Sequence, residues 1–328
     1  MLSCAAAALA EPDWKALTRK PEDWFRGADG QRIVANVLSW QSSHGSWPKN
    51  MDATAGRFSG DAATLKGTFD NGATTDELRF LTRAFHATEN ERCRAAVLKG
   101  IAHILKAQYP TGGWPQYYPL SKRYHRHITF NDDAMVRLMV FLREVVTKSE
   151  YDFVGDDERK AAQAAFDRGI ACILKCQVVV NGAPTAWCAQ HDEVTLEPRP
   201  ARSYELVSLS GSESVRILEF LMSLEHPSPD IIRAVNAGVA WFESVKITGI
   251  RVEKVNGDRT VVKDESAPPL WARFYEIGTN RPFFSGRDGV KKYSFGEIEA
   301  ERRNGYSWYG AWPARLPAEH AKWKERLK

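Results

Sequence analysis

Two short acidic clusters carry the first chemical signal: Asp70-Asn71, inside Thr68-Phe69-Asp70-Asn71, and Asp132-Asp133, behind Thr129-Phe130-Asn131. Each precedes a stretch with helical apolar spacing, where an aspartate commonly caps the helix start by accepting a backbone N–H. Carboxylates from neighbouring helix starts can also converge, and a hard cation such as Ca²⁺, which takes about six to eight oxygens, suits such a cluster. No EF-hand loop is present, so a cation site must be assembled from distant segments. His125 and His127 alternate and would share one face of an extended segment. A third zinc ligand at sensible spacing is missing, which favours histidines that hydrogen-bond or meet solvent. Arg199, Arg202, Arg273 and Arg287 read as surface charges unless the fold gathers them. Arg273 and Arg287 flank Phe274, Tyr275, Phe283 and Phe284, a guanidinium–aromatic mixture suited to flat or anionic ligands. P-loop, GxGxxG and GxSxG patterns are absent, which argues against nucleotide binding and the common serine hydrolases.

The elements that must position these residues repeat. Gly100-Ile-Ala-His-Ile-Leu-Lys-Ala-Gln108, Gly169-Ile-Ala-Cys-Ile-Leu-Lys-Cys-Gln177 and, more weakly, Gly238-Val-Ala-Trp-Phe-Glu-Ser-Val-Lys246 recur every 69 residues. Ile33 to Gln41 is a fainter first copy. Each closes a helix-period pattern and is followed by a loop carrying Trp: Gly45-Ser-Trp-Pro48, Gly113-Trp-Pro115, Ala186-Trp187. These Trp-Pro elements read equally as packing plugs between repeats. Second helices are predicted over Thr75 to Thr88, Asp132 to Val146 and Ser212 to Glu225. The loops between first and second helices run about 32, 20 and 30 residues, against a usual 2–8, while the return turns are short. Hairpins joined this way place every long loop at one end of a repeat-built bundle. On that end fall Lys49, Asp70, Asn71, Trp114, Tyr117, Tyr118, Arg126, Asp132, Asp133, Trp187, Asp192 and Arg202. The expected fold is mainly α, a partial α/α toroid of about three helical hairpins, with an open solenoid as the alternative. From Thr248 the pattern changes: Asn256-Gly257 between β-prone runs predicts a hairpin, and an irregular region of short strands and loops ends in a short basic helix near Pro317.

The 328 residues are 43% apolar and 26% charged, enough to bury a core without disulfides or metals. No apolar run reaches the roughly 18 residues of a membrane-spanning helix. A net charge of +4 is compatible with a polyanionic ligand without naming one. Cys93, Cys172, Cys176 and Cys188 form no CxxC pair and read as buried, inert thiols. Met1 to Ala10 reads as a truncated export signal or an alanine-rich start, lacking a basic region. Residues 1–21 are therefore a lead-in and 22–328 a single module, with 22–247 helical repeats and 248–328 the β- and loop-rich region packed on them.

Taken together, several motifs resemble the family 10 polysaccharide lyases, which are pectate lyases. They are Gly45-Ser-Trp-Pro-Lys-Asn50, Thr68-Phe-Asp-Asn-Gly-Ala-Thr74 with Glu77, Gly112-Gly-Trp-Pro-Gln-Tyr-Tyr-Pro119 and Ile128-Thr-Phe-Asn-Asp-Asp-Ala-Met135. Further along are Trp187-Cys-Ala-Gln-His-Asp192, Ala201-Arg-Ser-Tyr-Glu205 with Ser208-Leu-Ser-Gly211, Arg273-Phe-Tyr-Glu276, Ser285-Gly-Arg-Asp-Gly289 and Arg302-Arg-Asn-Gly-Tyr-Ser-Trp-Tyr-Gly310. They run in family order over nearly the whole chain after Glu22.

The resemblance implies Ca²⁺-dependent β-elimination on polygalacturonate. It makes Arg202 similar to the proton-abstracting arginine, and Asp70 and Asp132 similar to the carboxylates that hold Ca²⁺, with Asp133 able to share. Arg273 and Arg287 resemble the arginines that grip uronate carboxylates, and Lys49, Asn71 and Tyr309 complete the expected substrate-binding set. A secreted or periplasmic monomer, acting on pectate oligosaccharides and not on nucleic acid, is expected. The rival readings are a toroidal glycoside hydrolase using Asp70 and Asp132 as acid and base, and a non-catalytic binder of acidic polysaccharide.

Overall fold

Apolar residues at three- and four-residue spacing form helices where the repeat predicts them. The computed structural model describes residues 12–328; the stretch read as a possible export signal lies outside them. The chain forms two compact units, one comprising residues up to Ser121 with Arg137–Gly169, the other Lys122–Val136 with Ile170–Lys328.

The first unit opens with three helices, α1 (Trp14–Thr18), α2 (Glu22–Arg26) and α3 (Ala28–Ser39), followed by the hairpin of α4 (Thr75–Thr88) and α5 (Glu91–Ala107). The predicted second helix and α4 share the same bounds. Its N–H at Thr74 is held by Glu77 at 2.7 Å, so Asp70 is not the cap of this helix. The unit also takes most of α6 (Ala134–Thr147) and the first part of α7 (Asp156–Cys176). Arg79 of α4 bridges Glu144 of α6 at 2.7 Å.

The second unit contains the remaining helical hairpin, α8 (Glu213–Met222) and α9 (Pro229–Ser244). Around it lie two-residue strands: β1 (Ile128–Thr129), β2 (Val179–Val180), β3 (Ala183–Pro184), β4 (Gln190–His191) and β5 (Leu209–Ser210). The Asn256-Gly257 turn joins β6 (Ile250–Val255) to β7 (Asp258–Lys263) as a six-rung antiparallel hairpin. Short strands β8 (Trp271–Ala272), β9 (Phe274–Tyr275), β10 (Phe284–Ser285), β11 (Lys291–Lys292) and β12 (Tyr309–Gly310) follow, with helices α10 (Ala300–Gly305) and α11 (Leu316–Arg326). All sheets among the described residues are two-stranded antiparallel pairs; β5 pairs β9 and β8 pairs β12, which holds the β-rich tail on the α8 approach. The region is therefore short strands and loops, as its composition predicts.

The 69-residue repeat has a physical cause. The last four carbonyls of a helix lack intrahelical partners, and a tryptophan indole N–H satisfies one in each copy. Trp47 donates to Val37 O of α3 at 2.8 Å, Trp114 to Ile104 O of α5 at 2.8 Å, and Trp187 to Ile173 O of α7 at 2.7 Å. A fourth copy appears in Trp271, donating to Phe242 O of α9 at 2.8 Å. Gln41, Gln108 and Gln177 each clamp their own loop and the next first helix, through Ala96 O at 2.8 Å, Ala165 O at 2.8 Å and Ala234 O at 3.0 Å. The repeated glycines allow close helix approach: a Cβ at Gly100 would lie 2.4 Å from Leu78 Cδ2, and one at Gly238 2.8 Å from Leu218 Cδ2. Trp47, Trp114 and Trp187 are fully buried. They are the packing plugs of the plainer reading, not an exposed ligand platform.

Candidate functional site

The two acidic clusters fold alike, in the register set by Thr68-Phe69 and Thr129-Phe130. Asp70–Gly72 and Asn131–Asp133 each form a single 3-10 turn. Within them Asn71 (φ 54°) and Asp132 (φ 52°) occupy the left-handed region, which Asn and Asp tolerate better than other residues with a Cβ. The structural equivalents are therefore Asp70 with Asn131 and Asn71 with Asp132. Asp70 and Asp132 do not occupy equivalent places, because the Thr-Phe pair preceding each turn sets the count.

In the first unit, Asp70 is 1% exposed. Its Oδ2 accepts from Gln116 Nε2 at 2.5 Å and pairs with the Lys49 ammonium. Oδ1 is buried and has no hydrogen-bond partner. A buried carboxylate oxygen left bare costs free energy unless something else satisfies it, and that is the property expected of a metal-ligand oxygen. Asn71 beside it is exposed.

In the second unit, Asp132, Arg202, Arg259, Arg273, Asn304 and Tyr306 line a cavity of about 340 Å³. Arg273 enters between two backbone ties, its N–H donating to Trp308 O at 2.7 Å and its carbonyl accepting from Gly211 N at 2.9 Å. Its guanidinium pairs with buried Glu213, which also takes the Ser210 hydroxyl. Tyr306 lies beneath it, 4.8 Å from ring centroid to Cζ. Burial works against the charge of Arg273, but Glu213, together with Tyr306, Asp132 and Glu205, outweighs it and the pKa is raised. Arg273 Nε is buried without a partner, a donor available to an anion.

Arg202 is tied to Glu205, which accepts from Nε at 2.7 Å and Nη2 at 2.5 Å, and from the Arg202 backbone N–H at 3.1 Å. The Tyr306 hydroxyl donates to the same carboxylate at 2.7 Å. Here too burial opposes the charge, while the hydrogen bonds and charge of Glu205 raise the Arg202 pKa. Asp132 is exposed at the mouth of the cavity and takes a 2.5 Å bond from Asn131 Nδ2, and Asp133 pairs with Arg216 at 3.3 Å.

The fold thus gathers Arg202, Arg273 and Asp132, and separately Asp70 and Lys49. Arg287 is exposed and bridges Glu301 at 2.9 Å, outside the cavity lining. Tyr309 packs on Phe284 and Phe295 and lines a different cavity. Phe274, Phe283 and Phe284 are buried in the core with Tyr204 and Trp308, which corrects the expectation of an aromatic face around Arg273 and Arg287. His125 stacks on Tyr124. His127, Asp192 and Glu193 bring ligand atoms within 4.8 Å of one another, a group that does not include His125. Both carboxylates are already engaged, Asp192 by Arg199 at 2.7 Å and Glu193 by Arg126 at 2.5 Å. Glu205, Glu213, Gln116 and Tyr306 were not singled out by sequence. Gln116, Glu205 and Tyr306 lie inside the quoted motifs without a role assigned to them, and Glu213 lies in none.

The family model described as pectic acid lyase matches residues 41–316. Among solved structures the chain is similar to a family 10 polysaccharide lyase from Cellvibrio cellulosa, at 37% identity and a TM-score of 0.83 over 94% of each chain. It is also similar to a mutant form of a family 10 polysaccharide lyase from the same organism in complex with trigalacturonic acid. There the identity is 36% and the TM-score 0.82, over 95% of this chain and 99% of that one. Among curated proteins, none matches.

Proposed function

The chain belongs to the pectic acid lyase family and is a polysaccharide lyase, and from that premise we propose that it cleaves demethylated polygalacturonate by Ca²⁺-dependent β-elimination with Arg202 as base. The observation that carries this reading is the cavity in which Arg202, Arg273 and Asp132 meet. The trigalacturonic acid held by the mutant lyase it resembles supports an oligogalacturonate as substrate.

Asp70 and Asp132 are the residues proposed to hold Ca²⁺, and the bare, buried Oδ1 of Asp70 fits a hard cation. When bound, Ca²⁺ supplies Lewis-acid neutralisation of a uronate carboxylate, which makes the proton α to it more acidic. Arg273 grips a second carboxylate through its partnerless Nε and charged fork. Lys49, Asn71, Arg287 and Tyr309 are proposed to contact other parts of the chain. Arg202 takes the C5 proton; the C–H electrons form the C4–C5 double bond, the C4–O bond breaks, and the leaving oxygen is protonated by water. The products are a 4,5-unsaturated galacturonide and a new reducing end.

An arginine is an unusual base because its pKa lies above about 12. Glu205 strengthens that preference for the charged form. The role therefore requires the cations around it, Arg273 and Ca²⁺, to outweigh Glu205, and activity is expected to rise into alkaline pH. Residues 22–328 are read as one catalytic module, monomeric and secreted or periplasmic, since a polymeric uronate is met outside the cytoplasm. Among the described residues no helix is long and apolar enough to cross a membrane.

The test is ultraviolet absorbance on incubation with polygalacturonate. The unsaturated product should absorb, the gain should vanish with chelator and return with added Ca²⁺. New reducing ends without absorbance would overturn elimination, and chelator-insensitive absorbance would overturn the metal requirement.

A further inference from the structure

The Asn256-Gly257 hairpin plays no part in the mechanism above, yet it is anchored at the cavity. The Asp258 carboxylate, first after the turn, accepts from Arg303 Nε at 3.1 Å and from Asn304 Nδ2 at 2.8 Å. The Arg259 backbone N–H donates to Asn304 Oδ1 at 3.0 Å. These bonds stitch β7 to α10 and carry the Arg259 side chain to the cavity wall beside Tyr306, whose carbonyl it meets at 3.4 Å.

Arg259 differs from the other two arginines of that wall. Arg202 and Arg273 are each committed to a buried glutamate. Among the described residues Arg259 has no carboxylate partner, and its side chain is exposed. It also lines a second cavity, of about 540 Å³, bounded by Asp258, Tyr293, Phe295, Arg303 and Tyr309. A single guanidinium therefore stands between the cavity that holds Arg202 and a neighbouring one floored partly by tyrosines. Tyrosine presents an apolar ring and a polar tip, a surface that suits a sugar ring with its hydroxyls.

A polyuronate carries one carboxylate per sugar, so a chain running through both cavities would bring a carboxylate to this position. We propose that Arg259 binds the carboxylate of a substrate sugar beyond the cleavage point and that the second cavity is the subsite for that part of the polyuronate chain. This rests on the polygalacturonate reading above. The hairpin is then a substrate-binding arm: its tip is held by Asp258, and its cation acts on long substrates more than on short ones.

The test compares wild type, Arg259→Ala and Arg259→Lys on polygalacturonate and on the shortest oligogalacturonate that is cleaved. For Arg259→Ala, kcat/KM on the polymer should fall about tenfold, as for a lost charge-assisted hydrogen bond. The loss should lie in KM and be clearly smaller on the short substrate. Arg259→Lys, which keeps the charge without the fork, should fall between. Equal losses on both substrates, or none on the polymer, would overturn the proposal. If the wild type yields no unsaturated product, the lyase reading fails on its own. Calorimetric titration with a long oligogalacturonate then still reads the subsite, and equal affinities of wild type and Arg259→Ala would overturn it.

Discussion

The buried carboxylate of Glu205 holds Arg202 at both nitrogens of one edge, 2.7 Å from Nε and 2.5 Å from Nη2, while the Tyr306 hydroxyl pins the same carboxylate from behind. This bidentate geometry fixes the direction of the guanidinium as well as its charge. It places the proposed base in a preset orientation and at the same time makes it a weaker proton acceptor in the free protein.

Glu205→Gln removes the negative charge but keeps an oxygen that can accept from the guanidinium. Loss of that charge lowers the Arg202 pKa. The limb of the kcat/KM profile that rises with pH should therefore move to lower pH, because the neutral form becomes more populated. The pH–rate profiles of the two proteins check this, and superimposable limbs would separate Arg202 from the titrating step.

Arg202→Ala should reduce kcat by roughly 10²–10⁴, the usual worth of a general base, with affinity for oligogalacturonate largely kept. Steady-state kinetics beside calorimetric binding read the two effects apart. Turnover at the wild-type rate would remove Arg202 as the base.

Asp132 sits at φ 52°, so an asparagine there keeps the backbone conformation and removes only the charge, whereas alanine would add backbone strain of about 1–2 kcal/mol. Asp132→Asn should shift the Ca²⁺ concentration for half-maximal activity upward by about tenfold, comparable to one lost charge-assisted contact. An identical Ca²⁺ titration would exclude Asp132 as a ligand.

Trp114→Phe keeps most of the buried ring but leaves Ile104 O without the indole N–H that now meets it at 2.8 Å. The expected loss is about 1–3 kcal/mol of unfolding free energy, read as a lower urea midpoint. No loss would mean that the repeated tryptophan matters for its bulk alone.

Acid should destabilise the fold before its carboxylates titrate. Burial lowers the pKa of His103 and of His191 to about 4. His191 is held neutral between Leu196 O at 2.8 Å and Cys188 N at 3.2 Å. Below the unfolded-state value of about 6.5 the unfolded chain binds protons that the folded chain refuses until about pH 4. Stability should then fall as pH drops through this window, by up to roughly 1.4 kcal/mol per pH unit for each histidine. Urea midpoints measured from pH 7 to pH 4 check the slope, and a flat profile would contradict it.

The family and the helical repeat were legible in the sequence because both are local patterns. The 69-residue spacing of Gly100, Gly169 and Gly238 marks where helices approach closely, and the recurring Trp and Gln mark where helix ends are satisfied. Such positions are set by contacts that every copy repeats, so periodicity exposes them. Arg202, Arg273 and Asp132 were named from motifs, and the fold does bring them to one cavity.

The charge pairing within that cavity was decided by tertiary structure alone. Arg273 meets Glu213 sixty positions away, and Tyr306 meets Glu205 at a separation of 101; neither pairing leaves a local trace. The same holds for the oxygen of Asp70 that burial leaves bare, and for Arg259, an ordinary surface cation in sequence that a hairpin carries to the cavity wall. Short-range spacing sets helix faces and turn types by itself, whereas the charge state and partner of a buried ion depend on which distant segments the packed chain brings beside it.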